Sequence, residues 1–326
     1  MTSESGATTR ATAAGRSIAG RRVAVTGASG FVGSHIALAL AAAGAEALGV
    51  VRSPSKASWL ETRGVALRRA DLAEVDAMVD AFAGCDAVIA NAALGSNQGT
   101  LDELVRGNTT GVRNTFVAAA RAGVKRVVYI SSVAVYNNRP LRWQSEESPR
   151  FDTDAVAAGR RQLSVSDLTT DWRYAHSKAL AEDLAWSEAE RLGLEVTSLR
   201  PGPVYGSRDP KLMPRLLKRL KLPLLPLPRI GMPLVHAGDV ALAVVGALGN
   251  PQSIGEAYNL SGPPTPLPEV FRELVRQGAS PGRPPIILSL PLPIWVGFDT
   301  SKAERDLGFR ARSLKEGFAE ALAEPA

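Results

Sequence analysis

Two side chains with complementary acid and base chemistry stand four residues apart in Tyr174-Ala175-His176-Ser177-Lys178. On a helix this spacing puts Tyr174 and Lys178 on one face, one turn apart. A free tyrosine has a pKa of about 10 and is a poor acid or base at neutral pH, whereas an ammonium group beside it favours the phenolate. The pair therefore predicts proton exchange with a substrate oxygen. His176 faces elsewhere on that helix and is interpreted as structural.

A glycine-rich turn near the start of the chain predicts a cofactor site. The apolar run from Arg22 to Val25 meets three glycines and passes into a helix rich in alanine and leucine. Glycine permits positive φ and close approach of a pyrophosphate, and the helix offers free N–H groups and the positive end of its dipole. The pattern favours a dinucleotide cradle over an ordinary turn at the end of a strand. The residues assigned to the cradle are Gly27, Ser29, Gly30, Phe31, Val32 and Gly33.

The end of the second predicted strand, Glu46 to Val51, bears on which dinucleotide fits. An acidic residue there would bind the ribose 2′-hydroxyl of NAD, whereas a cation suits the 2′-phosphate of NADP. The chain has Arg52 and then Lys56, and no acid between them. We therefore predict NADP(H), with the planar Arg52 guanidinium on the phosphate and Lys56 nearby; NAD(H) stays open as the alternative.

Six apolar runs that read as buried strands alternate with helical segments. They begin at Arg22, Glu46, Val65, Asp86, Arg126 and Leu194. This alternation predicts an α/β fold with a doubly wound parallel sheet. The fourth run ends in the small residues Ala92 and Ala93, across which a cofactor could lie. The fifth run delivers Ser131 and Ser132 to the carboxyl edge of the sheet, where open α/β folds bind ligands.

Several segments together resemble the extended short-chain dehydrogenase/reductase family, which includes NAD-dependent epimerases and dehydratases. Thr26 to Gly33 has the spacing T-G-x-x-G-x-x-G, and Arg200 to Gly206 is similar to the R-P-x-x-V-Y-G segment of the family. Further matches are Leu234 to Ala241, Tyr258 to Gly262 and Asp299 to Phe309, so the resemblance covers nearly everything after residue 20. It implies a Rossmann sheet with a smaller C-terminal substrate-binding lobe.

The resemblance also implies roles for individual residues. Ser132 corresponds to the family's catalytic serine, and Asn108 to an asparagine that supports the active site from a helix; the alternative for Asn108 is an exposed polar residue. Asp71 and Leu72 match a pair that lies against the adenine ring, although Asp71 could equally cap the helix that follows. The remaining residues that the resemblance assigns to the cofactor site are Tyr174, Lys178, Pro201 and Val204.

The chain departs from the nucleotide-sugar dehydratases at Ser131-Ser132-Val133, where those enzymes usually have Thr-Asp-Glu. The acid needed for water elimination is missing, so dehydration is disfavoured. The segment from residue 137 to 172 is unusually long and could be a lid over the substrate or a surface insertion. Two proline-rich apolar stretches, 223–233 and 285–298, could line an apolar substrate or serve only in packing, and membrane attachment by the second stretch is a less favoured alternative.

Composition and length set the class of protein and its division. The chain has 326 residues, of which 45% are hydrophobic and 21% charged, as in ordinary globular proteins. We predict a disordered leader over 1–20, an NAD(P)-binding Rossmann domain over 21–200, and a mainly substrate-binding lobe over 201–326 from which about 232–260 returns to the Rossmann domain. One cysteine and three dispersed histidines make a metal site unexpected.

Charge and hydropathy bear on partners. The net charge of +6 is dispersed and not interleaved with aromatic residues, so nucleic-acid binding is not expected. No apolar run is long enough to span a membrane without a break, so we expect no membrane partner and take the cytoplasm as the default compartment. A homodimer is an open expectation, because exposed apolar helices often pair in this superfamily.

The residues and the resemblance together predict an NADP(H)-dependent reductase or dehydrogenase that interconverts a ketone and a secondary alcohol on a mainly apolar small molecule. In the reducing direction Tyr174 would give a proton to the oxygen, Ser132 would hydrogen-bond that oxygen, and Lys178 would lower the tyrosine pKa and hold the nicotinamide ribose. The alternatives are a nucleotide-sugar epimerase that retains NAD and a dinucleotide-binding regulator without activity. The substrate, the direction and the stereochemistry stay open.

Overall fold

A computed structural model shows how these segments fold, and it describes residues 16–91, 100–137, 143–162 and 171–323. Ala92 and Ala93, the predicted platform for the cofactor, lie outside the described residues. The strands, in chain order, are β1 (Arg22–Thr26), β2 (Glu46–Val51), β3 (Ala66–Arg69), β4 (Ala87–Ala90), β5 (Arg126–Ile130), β6 (Trp143–Gln144), β7 (Glu195–Pro201), β8 (Val204–Tyr205), β9 (Leu224–Met232), β10 (Val235–His236), β11 (Ala257–Leu260), β12 (Thr265–Pro266), β13 (Ile286–Ile294) and β14 (Gly297–Phe298). The helices are α1 (Phe31–Ala42), α2 (Val75–Phe82), α3 (Leu101–Arg121), α4 (Thr153–Ala157), α5 (Trp172–Leu192), α6 (Leu212–Arg219), α7 (Ala237–Gly249), α8 (Leu267–Arg276), α9 (Ser301–Leu307) and α10 (Leu314–Ala323).

The central sheet has seven strands in the order β11-β7-β5-β4-β1-β2-β3. Every neighbouring pair is parallel, which confirms the doubly wound α/β fold. Strands β4 and β5 are buried along their whole length, because helices cover both faces of the sheet and only continuous apolar runs fit between them. The strand order reverses between β1 and β4, so a crevice opens at the carboxyl ends of these two strands.

One strand of the sheet was not among the six predicted runs. Strand β11 pairs with β7, with Ala257 opposite Ser198 and Leu260 opposite Pro201. It has four residues and includes the buried polar residue Asn259, so its sequence lacks a continuous apolar run. Its place in the sheet comes from pairing with β7 and not from a local pattern.

Two apolar layers cover the faces of the sheet. On one face α1 packs against α7, with Ile36, Leu40 and Val244 fully buried. On the other face α2, α3 and α5 pack together, and Phe82 and Phe116 are fully buried. Each such side chain stabilises the fold by about 1.5–3 kcal/mol relative to an exposed one, so the carboxyl ends of the strands rest on rigid support.

A separate apolar core lies beyond β7. Strands β9 and β13 pair in parallel and β12 joins β9 antiparallel, and one face of this small sheet packs against α6, α8 and α10. Leu225, Leu227 and Phe271 are buried in this core, so the inward side chains of the first proline-rich stretch serve in packing. By contrast, strand β11 is part of the central sheet, and helix α7 packs against that sheet. That the outer part binds substrate stays a prediction.

The predicted leader ends too late, because residues 16–20 pack on the core. The backbone N–H of Arg16 donates to the Gly249 carbonyl (2.8 Å), and Ile18 is 3% exposed. The only large aliphatic side chain of the leader thus anchors this stretch, while residues 1–15 lie outside the described residues. None of the helices in the described ranges is long and apolar enough to cross a membrane.

Parts of the long segment before α5 are attached to their surroundings. Strand β6 pairs with β14, with Trp143 opposite Gly297. Arg150 forms an ion pair with Asp183 (2.7 Å), and the Thr153 hydroxyl donates to the same carboxylate (2.6 Å). These contacts hold 143–144 against β14 and 150–153 against α5; residues 138–142 and 163–170 lie outside the described residues, and a lid stays a prediction.

Candidate active site

The glycine turn between β1 and α1 has the geometry of an anion cradle. Gly27 has a φ of 66°, and its N–H donates to the Val50 carbonyl of β2 (3.1 Å). Gly30 is the N-cap of α1 and supplies no side-chain cap, so the first N–H groups of the helix have no side-chain acceptor at that position. A Cβ on Gly33 would lie 2.2 Å from the Gly27 carbonyl oxygen, so only glycine lets α1 approach the turn. Ser29 and Gly30 are exposed and Phe31 and Val32 are partly exposed, which leaves this surface open to a pyrophosphate.

The carboxyl ends of β1 and β4 are joined beside this turn. The Thr26 hydroxyl donates to the Ile89 carbonyl (3.2 Å), and the Asn91 side-chain amide donates to the Thr26 carbonyl (3.3 Å). The backbone N–H of Asn91 donates to the Thr26 hydroxyl (3.1 Å). The crevice at the switch point therefore has fixed walls where β4 ends.

Arg52 and Lys56 lie where β2 leaves the sheet. Thr26 is opposite Val50 in the pairing of β1 with β2, so Arg52 follows directly beside the glycine turn. Both cations are exposed, and Lys56 lies on a short 3-10 helix that Pro54 begins. In the described part of the chain neither pairs with a carboxylate, which leaves both available to an anion.

The connection from β3 to α2 carries Asp71 and Leu72. The Asp71 carboxylate accepts from the Ala73 N–H (2.9 Å), whereas Glu74 occupies the N-cap position of α2. Asp71 thus shapes the turn before the helix and does not cap it. The Leu72 carbonyl accepts from the Asn114 side chain of α3 (2.8 Å). Contact of either residue with adenine stays a prediction.

The structure brings Ser132 and Tyr174 together. Ser132 follows β5, and its hydroxyl accepts from the Ala134 N–H (3.1 Å). Tyr174 lies in the first turn of α5, and the Ser132 side chain lies close enough to its hydroxyl to favour the phenolate. Burial raises the pKa of Tyr174, and the neighbouring Ser132 side chain only partly offsets the rise. The tyrosine therefore stands protonated at neutral pH, poised to give a proton.

Lys178 is buried one turn along α5. Its ammonium donates to the Tyr129 hydroxyl (3.2 Å) and to the Ile130 carbonyl (3.0 Å), and its side chain is 2% exposed. Burial lowers the pKa of Lys178 to about 8, while the charge of Glu182 opposes that fall. The expected lowering of the Tyr174 pKa by Lys178 is not seen, because the ammonium is directed to Tyr129 and β5.

Asn108 supports the tyrosine turn from α3. Its side-chain amide donates to the Ser177 hydroxyl (2.9 Å), which donates to the Tyr174 carbonyl (2.8 Å). Asn108 is 2% exposed, which contradicts the alternative of an exposed polar residue. It acts on the tyrosine through Ser177 and is a positioning residue.

Pro201 and Val204 lie at the carboxyl end of β7. Pro201 is the last residue of β7 and pairs with Leu260, while Val204 begins β8 and pairs with Val235 of β10. Val204 is partly exposed and Pro201 is buried. They are thus at the sheet edge that carries Ser132, and their contact with a cofactor stays a prediction.

Two residues near Tyr174 and Lys178 were missed in the sequence. Tyr129 carries a hydroxyl group within a buried apolar strand, three positions before Ser132. Glu182 is fully buried on α5, eight positions after Tyr174 and on the same helical face. Two signals could have indicated them. Tyr129 is a polar residue in an apolar run, and Glu182 continues the four-residue spacing of Tyr174 and Lys178. His176, by contrast, packs against the Phe151 and Trp172 rings, as a structural residue would.

Comparison with known proteins shows which family and which enzymes this chain is similar to. A model of the NAD dependent epimerase/dehydratase family matches residues 23–261. The chain is 32% identical over 201 residues to cinnamoyl-CoA reductase 1 of Petunia hybrida, an alignment that covers 59% of this chain and 56% of that protein. It is 29% identical over 270 residues to the 2-alkyl-3-oxoalkanoate reductase of Stenotrophomonas maltophilia, covering 80% and 76%. The chain therefore spans little more than half the length of the cinnamoyl-CoA reductase that it matches.

Solved structures share the fold over nearly the whole chain. The yeast methylglyoxal/isovaleraldehyde reductase Gre2 complexed with NADPH superposes with a TM-score of 0.75 at 21% identity, covering 93% of this chain and 97% of that one. The UDP-N-acetylglucosamine 4-epimerase of Bacillus cereus gives 0.74 at 19% identity, covering 94% and 100%. At these identities the likeness shows the fold alone, and it spans both reductases and epimerases.

Proposed function

The chain belongs to the NAD dependent epimerase/dehydratase family, and from this premise we propose that it is an NADP(H)-dependent oxidoreductase. It interconverts a ketone and a secondary alcohol on a mainly apolar small molecule. Both curated relatives described above are named reductases, which supports net reduction over epimerisation.

The closeness of the Ser132 side chain to the Tyr174 hydroxyl is the observation that carries the proposal. It places a protonated phenol and a hydroxyl side by side at the carboxyl edge of the sheet, beside the switch-point crevice. A ketone oxygen bound between them accepts two hydrogen bonds, and the proton that completes the alcohol comes from the Tyr174 hydroxyl. Ser132 holds the oxygen in line with that proton.

The residues of the glycine turn fit a nicotinamide dinucleotide. The uncapped start of α1 and the close approach that Gly33 permits suit a pyrophosphate. When bound, the nicotinamide supplies the hydride. Lys178, one turn along α5 from Tyr174, would hold the nicotinamide ribose, while Asn108 keeps the tyrosine turn in place through Ser177.

Arg52 and Lys56 support NADP(H) as the cofactor. Both are exposed beside the glycine turn, and the residue that ends β2 is followed by a cation where NAD-binding chains place an acid. A guanidinium fork matches a phosphate in two hydrogen bonds, so Arg52 binds the 2′-phosphate more strongly than a 2′-hydroxyl.

An apolar ketone is the proposed substrate class. The 2-alkyl-3-oxoalkanoate reductase covers most of this chain, and its name describes a ketone that carries alkyl chains. The dehydratase acid is absent at Ser131-Ser132-Val133, which disfavours water elimination. These two facts favour reduction of a carbonyl over lyase chemistry.

One experiment tests cofactor and reaction together. The purified protein is denatured to identify any released dinucleotide, then the cofactor-free protein is titrated with NADPH and NADH and assayed with alkyl-substituted 3-oxo acids. We expect loose binding, an NADPH preference and oxidation of NADPH by a ketone. Stoichiometric retained NAD with no net redox change would replace this proposal by an epimerase, and binding without turnover on any ketone would favour a regulator.

A further inference from the structure

The small sheet beyond β7 has one face that none of the described elements covers. Its outward side chains are Leu222, Leu224, Ile286, Leu288 and Leu290, which we call the ribbon face. Their exposed fractions are 51%, 45%, 62%, 46% and 39%. Single exposed leucines are ordinary, but five that lie on two neighbouring strands and the turn before them form a continuous apolar surface.

Strand register places these side chains side by side. Ile286 is opposite Leu224, and Leu288 and Leu290 are opposite Pro226 and Pro228. The residues between them on β9, Leu225 and Leu227, face the lobe core and are 3% exposed. Because successive side chains of a strand alternate between faces, the apolar residues divide into a packed set and an unpacked set.

The chain segments that carry and adjoin the ribbon face contain cations and no carboxylates. Segments 210–238 and 277–298 contain seven Lys and Arg and no Asp or Glu. The seven positive charges of these two segments exceed the net charge of the whole chain, which is +6. Six of these cations are exposed, and in the described part of the chain none of the six forms a salt bridge. They are Arg215, Lys218, Arg219, Lys221, Arg229 and Arg283.

Helix α6 brings part of this charge directly to the apolar residues. Two backbone hydrogen bonds hold the turn after α6. The Leu222 N–H donates to the Arg219 carbonyl (3.0 Å), and the Lys221 N–H donates to the Lys218 carbonyl (3.3 Å). Lys218, Arg219 and Lys221 are therefore fixed next to Leu222, where the ribbon begins. An apolar face with a rim of one sign of charge is complementary to a surface that is apolar within and anionic at its border.

We propose that the ribbon face docks on the surface of a bilayer that contains anionic lipid. The apolar side chains enter the boundary between headgroups and acyl chains, and the cations of α6 and the adjoining loops contact the lipid phosphates. Attachment is peripheral, since it uses a strand face and not a spanning segment. The ribbon strands belong to a different sheet from β5, which precedes Ser132, and the proposal does not depend on the proposed reaction.

Other occupants fit the ribbon less well. Strand β13 is the outer strand of the small sheet, and Pro291 removes one N–H donor from it, which weakens pairing with a strand of another chain. Residues 1–15 contain no Leu, Ile, Val or aromatic residue that could cover an apolar face. A second copy would bring the same excess of cations against itself, which opposes a symmetric contact.

Co-sedimentation of the full-length protein with vesicles tests the proposal. Vesicles of phosphatidylcholine alone are compared with vesicles containing about one third phosphatidylglycerol, at low and high salt. We expect binding to the anionic vesicles only, reversed by salt. K218Q/K221Q should weaken it on the order of 30-fold, because each cation near an anionic surface contributes about fivefold. I286S/L288S should also weaken it by tenfold or more at constant salt.

Matched controls separate the ribbon from general charge and hydropathy. R106Q/K125Q removes two exposed cations on the Rossmann domain, and Leu242→Ser replaces an equally exposed leucine on α7 (52%). Both should bind as the unchanged protein does. The proposal is overturned if anionic vesicles do not retain the protein at low salt, or if the ribbon variants bind like their controls. A change of oligomeric state in I286S/L288S without vesicle binding would assign the face to a second copy instead.

Discussion

Glu182 and Arg200 form an ion pair that is closed to solvent beneath the candidate active site. Arg200 Nε lies 3.0 Å from one carboxylate oxygen and 3.2 Å from the other, and the two side chains are 5% and 0% exposed. The Ser198 hydroxyl donates to the same carboxylate (2.5 Å), and the Arg200 guanidinium also reaches the Tyr136 hydroxyl (2.7 Å). The pair connects the helix of Tyr174 and Lys178 to β7.

Breaking this pair should cost stability. Glu182→Gln keeps the shape of the side chain but leaves the Arg200 guanidinium buried without a counter-ion, and the free energy of unfolding should fall by about 3–5 kcal/mol. Urea unfolding measures the change. Glu190→Gln, an exposed acid on the same helix, should change it by less than about 0.5 kcal/mol. Equal losses in the two variants would contradict a buried, tightly paired carboxylate.

Stability should rise with pH through the titration of Lys178. Burial lowers its pKa to about 8, whereas an unfolded lysine has a pKa of about 10.4. Between these values the unfolded chain binds more protons than the folded one, so this group adds on the order of 1 kcal/mol per pH unit as pH rises. Unfolding measured from about pH 8 to pH 10 should show the rise. Lys178→Met should abolish it and Lys125→Met, at an exposed site, should keep it; the same slope in both variants would refute the assignment.

Tyr174→Phe should remove turnover but not cofactor binding. It deletes the hydroxyl that is proposed to give the proton, so kcat should fall by about 10²–10⁴, while NADPH titration should change less than about threefold. Ser132→Ala should lower kcat by a smaller factor, since the phenol is still present. Tyr258→Phe is the control, because its hydroxyl contacts Asp306 on α9 (3.3 Å), at a distance from the reaction. Turnover retained by Tyr174→Phe would overturn the proposed mechanism.

Arg52→Gln should weaken NADPH binding selectively. A hydrogen bond to a charged group contributes about 1.5–3 kcal/mol, so the Kd for NADPH should rise about 10- to 150-fold while that for NADH stays nearly constant. Fluorescence titration of the cofactor-free protein measures both values. Arg106→Gln removes an exposed cation of α3 and should affect neither. Parallel weakening of the two cofactors would mean that Arg52 does not contact the 2′-phosphate.

Gly33→Ala should impair the cofactor cradle. The new Cβ would lie 2.2 Å from the Gly27 carbonyl oxygen and 2.8 Å from the Asn91 side chain, so the turn or α1 must shift. We expect a loss of stability of about 1–3 kcal/mol and a larger loss of NADPH affinity. Gly282→Ala, where nothing lies within 4 Å of the added methyl group, should leave both unchanged. Normal NADPH affinity in Gly33→Ala would place the pyrophosphate elsewhere.

The strands that could be predicted from sequence are the ones whose local pattern is complete. Strand β2 was predicted with its observed bounds and β1 to within one residue, because they are continuous apolar runs that end at a loop or a glycine turn. Strand β11 was missed because Tyr258 and Asn259 interrupt its apolar character. Ile18 was placed in a leader because one aliphatic side chain in a polar stretch carries no pattern, although burial of that side chain anchors the chain.

The features of the candidate site also divide into those that a local pattern predicts and those that depend on distant parts of the chain. The glycine spacing and the Tyr174-to-Lys178 spacing are local, and the structure keeps each in the predicted turn or helix. Where the Lys178 ammonium goes is not local: it depends on Tyr129 and Ile130, some fifty positions earlier in the chain. The expectation that Lys178 lowers the tyrosine pKa failed for that reason.

The sequence by itself determined the doubly wound sheet, the cradle and the types of residue available for proton transfer, since periodicity and glycine spacing act over a few residues. Only the tertiary structure decided which of these groups meet: Ser132 with Tyr174, Asn108 with Ser177, and Glu182 with Arg200. It also decided which apolar residues of β9 and β13 stay exposed. Hydrogen bonds, ion pairs and burial depend on distance in space, and the pairing of strands far apart in the chain sets that distance.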